Sequence, residues 1–76
     1  MESNIKNYKK TNILVTYKKN KSPFLITFVR DNTDDWFIDV VHHKKKSGEV
    51  TDVSRIIAKD LNNWALWKES LGWEKV

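Results

Sequence analysis

The chain predicts an α+β fold: one small domain in which an antiparallel meander of three or four strands carries a single C-terminal helix. Three observations lead there. Runs of β-branched and aromatic residues (TNILVTYKK, PFLITFVR, WFIDVVHH) recur between short polar connectors, as strands of a meander do. The final stretch, DLNNWALWKESLGWEKV, has helical spacing instead, with Leu61, Trp64, Lys68 and Leu71 on one stripe and Gly72 as a stop. Four tryptophans in 76 residues, with no cysteine, put large rings where disulfides or thiolate-bound zinc would otherwise hold so small a core.

The first ten residues are polar, with only Ile5 and Tyr8 as apolar anchors. Residues 1–10 are therefore expected to form a frayed N-terminal segment and residues 11–76 the domain, with regular structure from Thr11. Asn20, Lys21 and Ser22 make a hairpin connector, and Pro23 opens the second strand, where its missing N–H is tolerable. There Phe24, Ile26 and Phe28 share one face, while Leu25, Thr27 and Val29 share the other. Both faces of the sheet are thus partly apolar. One helix covers only one of them, so the other calls for the N-terminal segment or a second copy of the chain, a homodimer. The connector DNTDD at 31–35 is rich in short side chains that bond their own backbone in turns, and it leads into the third strand.

Residues 53–59 admit two assignments. On a 100° step Val53, Ile56, Ile57, Leu61, Trp64, Trp67 and Leu71 fall in one apolar arc, which would make a single helix from Asp52 to Leu71. Asp60 objects: it would interrupt that arc, but it suits the N-cap of a shorter helix that follows a fourth strand. The strand assignment is preferred.

Lysine outnumbers arginine twelve to two, and the net charge of +4 is unevenly spread: +6 over residues 1–30, −4 over 31–43, +3 over 44–46 and −1 over the rest. In an up-and-down sheet the first and third connections emerge at the same end. Lys18, Lys19, Lys21, Lys44, Lys45 and Lys46 should therefore share one pole, with Asp31, Asp34 and Asp35 at the other. Such a pole either contacts phosphates or simply keeps turns soluble and sheet edges blunt. Only Arg30 and Arg55 offer bidentate contacts to base edges, so phosphate contacts would be mostly non-specific. Tyr8, Tyr17, Phe24, Phe28, Trp36 and Phe37 interleave with the basic residues and could stack bases, although the core has first claim on such rings.

No catalytic, cofactor or metal constellation emerges. His42 and His43 are adjacent on a strand and so point to opposite faces, and no serine has a nucleophile-elbow setting. The DNTDD turn lacks the ligand spacing and mid-loop glycine of a calcium loop. Asp39, between Ile38 and Val40, needs solvent, an arginine or an interface. No segment has the apolar length of a signal peptide core or a membrane span, and a cysteine-free chain suits the cytoplasm.

On the helix, Leu66 points roughly 150° from the middle of the apolar arc and should stand exposed. Trp64, Leu66 and Trp67 are the expected partner-binding residues, since Trp beside Leu anchors protein interfaces; in the plainer reading the tryptophans only fill the core. The expectation is a small non-enzymatic binding factor that engages and modulates or blocks a partner protein, as accessory and inhibitor proteins of phages and mobile elements do. The alternative is a nucleic-acid-binding module acting through the lysine pole.

Overall fold

The computed structural model describes residues 3–76, so the first two residues of the expected N-terminal segment lie outside the described residues. Five strands and one α-helix follow one another: β1 (Ile13–Lys19), β2 (Phe24–Arg30), β3 (Phe37–Lys44), β4 (Val50–Ile57), α1 (Leu61–Ser70) and β5 (Trp73–Lys75). They form one antiparallel sheet in the order β4-β3-β2-β1-β5. The first four strands are the meander, and residues 53–57 belong to its fourth strand. The strand count is five rather than three or four.

The additional strand comes from the end of the helix. Gly72 adopts φ +97°, where a side chain would be strained, and its N–H returns to the Glu69 carbonyl at 3.1 Å. This reversal sends Trp73–Lys75 back along β1, with Trp73 opposite Lys19, Glu74 opposite Lys18 and Lys75 opposite Tyr17. The Val76 N–H then donates to the Thr16 carbonyl at 2.9 Å. At the other end of the helix Asp60 occupies the N-cap position, but its side chain makes no capping hydrogen bond. Residues Ala58–Asp60 form a 3₁₀ turn instead, and the Leu61 N–H is satisfied by the Ala58 carbonyl.

The helix lies on the face that presents Tyr17, Ile26, Phe28, Ile38, Val40 and Ile56, and Leu61, Trp64, Ala65 and Trp73 pack onto that cluster. Tyr17 and Phe28 meet edge to face, 5.9 Å between centroids, and are fully buried. A Phe or Ile side chain withdrawn from water in this way contributes about 1.5–3 kcal/mol, so these few residues carry most of the packing. The Tyr17 hydroxyl donates to Glu69 Oε2 at 3.0 Å, which ties the sheet to the helix.

Thr27, Val29, Val41 and His43 are buried on the opposite face. Residues 3–12 run beside and across it in two 3₁₀ turns, Ile5–Asn7 and Lys10–Asn12. The Val50 N–H donates to the Ser3 carbonyl at 2.9 Å and the Ile5 N–H to the Gly48 carbonyl at 2.8 Å. Gly48 is required here on two counts: its φ is +77°, and a Cβ would lie 2.8 Å from Asn4 Oδ1 and 3.0 Å from Ile5 Cγ2. The N-terminal segment is thus a cover of the second face. Among the described residues, no helix is long and apolar enough to cross a membrane.

Candidate functional site

The outer face of α1 divides the three residues expected there. Trp64 is half-buried and belongs to the rim of the core, whereas Leu66 is 66% exposed and Trp67 49% exposed, with Leu71 also open to solvent. The two indoles meet edge to face at 5.0 Å. Lys68 lies over both rings, its Nζ 4.6 Å from the Trp67 centroid and 5.7 Å from that of Trp64. Burial, and then the charge of Lys19, push the Lys68 ammonium below its ordinary pKa. Trp67 is thus an exposed ring in contact with a half-buried one and with a cation.

The lysine pole is built by two turns. In the first, the Ser22 N–H donates to the Lys19 carbonyl at 3.0 Å and Lys21 takes φ +68°, a left-handed conformation in which glycine is the usual residue. In the second, the Gly48 N–H returns to the Lys44 carbonyl at 2.8 Å. The Lys45 N–H donates to the Pro23 carbonyl at 2.8 Å and joins the turns, as the up-and-down order requires. Between them opens a cleft of about 710 Å³ lined by Lys21, Pro23, Phe24, Lys44, Lys45 and Lys46, together with Ser22 and Ser47. Lys44 is paired with Glu49 at 2.8 Å, which holds its pKa above the usual value. Lys18 and Lys19 stand apart from the cleft: Lys18 faces Glu74 across the strands, and Lys19 lies 6.0 Å from the centre of the Trp73 ring.

At the opposite pole Asp39 finds its basic partner in Arg55, with Nε 3.2 Å from Oδ1, and the same guanidinium donates to Asp31 Oδ2 at 2.7 Å. Arg55 also lies 5.2 Å from the centre of the Phe37 ring. Asp31 accepts from the Thr33 N–H and hydroxyl, both at 2.8 Å, and these bonds, with Arg55 nearby, lower its pKa. Trp36, one of the rings open to either the core or base stacking, stays out of the core: it is 70% exposed, on a backbone fixed from both sides, its N–H donating to Asp34 Oδ1 at 2.9 Å and its carbonyl accepting from the Ala58 N–H at 2.7 Å. Its place just before the alternation of β3 was the one available signal.

His42 and His43 do point to opposite faces. His43 Nε2 hydrogen-bonds with Thr27 Oγ1 at 2.7 Å, and that hydroxyl with Thr16 Oγ1 at 3.1 Å, a buried polar relay across three strands. His42 faces the helix side opposite Asp52, and burial lowers its pKa.

No protein-family model matches this chain, and no curated protein or solved structure does either.

Proposed function

We propose that the protein is a non-enzymatic binding factor that engages and modulates or blocks a partner protein through the outer face of α1, in the manner of accessory and inhibitor proteins of phages and mobile elements. One observation carries this reading: Leu66 and Trp67 are consecutive, exposed and apolar, and Trp67 packs against Trp64 and Lys68. An exposed indole is the residue type in which interface hot spots are most enriched, and a neighbouring leucine adds apolar surface that excludes water around it. The cysteine-free composition suits work in the cytoplasm. Affinity purification from a host lysate, with nuclease and high salt, tests the reading. The unaltered protein is expected to retain a stoichiometric protein partner that Leu66→Arg loses and a Lys45→Glu, Lys46→Glu double variant keeps. Equal retention by all three would refute it.

A second reading is favoured by the cleft at the lysine pole. Lys21, Lys45 and Lys46 have no carboxylate within ion-pair distance among the described residues, and they line the cleft together with Pro23 and Phe24. Such a cluster attracts phosphates through counterion release, whatever the base sequence.

A further inference from the structure

We propose that the cleft between the β1–β2 and β3–β4 turns is a subsite for one unpaired nucleotide of a single-stranded nucleic acid, its base stacked on Phe24 and its flanking phosphates held by Lys21, Lys45 and Lys46. This rests on the second reading above and narrows it.

The lining has two chemistries. Lys21, Lys44, Lys45 and Lys46 bring ammonium groups, while Phe24, Pro23 and the aliphatic stems of the lysines bring apolar surface. A carboxylate or inorganic phosphate would use only the ammonium groups. A nucleotide uses both, because a phosphate matches the lysines and every base has a π-face that a phenyl ring can stack against. Phe24 stands at the strand end, 39% exposed, whereas Tyr17 and Phe28 on the same face are fully buried. The volume of about 710 Å³ lies within the roughly 300–1,000 Å³ in which small ligands are held.

The choice of a single strand follows from the same geometry. In a duplex the base faces are already stacked on one another, so Phe24 would find no partner, and sequence reading from a groove would call for bidentate side chains. Both arginines lie toward the other pole, Arg55 engaged with Asp31 and Asp39 and Arg30 opposite Ile38. The cleft is also preformed. The Lys45 N–H to Pro23 carbonyl hydrogen bond ties its two turns together, and Lys21 holds a left-handed backbone at φ +68°. Strain of this kind at a non-glycine residue is common where geometry serves binding.

Fluorescence anisotropy with labelled oligothymidylate and oligouridylate, and with a duplex of equal length, decides the matter across a salt series. The unaltered protein should prefer either single strand to the duplex. Phe24→Leu, which keeps the strand end apolar, should weaken single-strand binding by about tenfold and leave the salt slope unchanged. The Lys45→Glu, Lys46→Glu pair should weaken all binding and flatten the slope. Equal affinity for duplex and single strand, with no effect of Phe24→Leu, would overturn the nucleotide subsite while leaving phosphate binding intact. Absence of binding even at low salt would overturn both. Displacement of the oligonucleotide by polyglutamate at equal charge would also overturn it and point to an acidic protein surface. Circular dichroism confirms that each variant folds, and the ratio of single-strand to duplex affinity in the unaltered protein decides even if Phe24→Leu does not fold.

Discussion

His43 Nε2 and Thr27 Oγ1 lie 2.7 Å apart on the buried face of the sheet, and the same threonine meets Thr16 at 3.1 Å. A polar contact so enclosed links β3, β2 and β1 through side chains as well as through the ladder, and it makes the face beneath the N-terminal segment sensitive to protonation.

Burial pushes the His43 and His42 imidazoles below their ordinary pKa of 6.5. The unfolded chain therefore takes up protons first as pH falls. Stability is fully present above the unfolded value and is lost as pH drops through about 6.5 toward the lowered folded value, with a slope of at most about 1.4 kcal/mol per pH unit for each histidine. Thermal melts between about pH 8 and pH 5 should show this decline, and His43→Gln should make it shallower. A flat profile in the unaltered protein would contradict the assignment.

Thr27→Val keeps the shape of the residue and removes the hydroxyl that serves both His43 and Thr16. It leaves a buried ring nitrogen without its partner, at a cost of about 1–3 kcal/mol. Urea titration should record that loss as a lower midpoint with an unchanged slope.

Lys21 occupies a left-handed conformation at φ +68°. Replacing it with glycine relieves about 1–2 kcal/mol of backbone strain and returns about 0.5–1 kcal/mol through the greater freedom of the unfolded chain. Lys21→Gly should therefore raise stability by up to about 1 kcal/mol in the same titration, while oligonucleotide affinity falls with the lost charge.

At Gly48 the opposite holds. A methyl group would meet Asn4 and Ile5 on a backbone at φ +77°, so Gly48→Ala should destabilise by about 1–2 kcal/mol and lift the N-terminal segment from the sheet. Limited proteolysis should then cleave within residues 3–12 faster than in the unaltered protein, and hydrogen exchange at the Ile5 and Val50 amides should accelerate.

Leu66→Arg places a charge where the native side chain is already largely in solvent. Its melting temperature should stay close to that of the unaltered protein, since surface substitutions away from special features usually fall within about 0.5 kcal/mol. Loss of partner binding by this variant would then report on the interface and not on folding.

The β-branched and aromatic runs PFLITFVR and WFIDVVHH, and the polar connectors between them, determined the meander, and connectivity alone then put Lys21 and Lys44–Lys46 at one end. The step of 100° per residue set Leu66 outward. These are local signals, and local signals survive in a sequence read by itself. The tertiary structure decided what depends on segments meeting from far apart. Trp73–Lys75 becomes a strand only because Gly72 reverses the chain and β1 offers an open edge. Asp39 takes Arg55 because register places the two opposite each other. Residues 3–12 cover the second face because Gly48 leaves room for Asn4 and Ile5. Which tryptophan would stand in solvent was decided the same way, Trp64 turning onto the core while Trp36 and Trp67 remain outside, because burial belongs to the packed assembly and not to any one residue's position in the pattern.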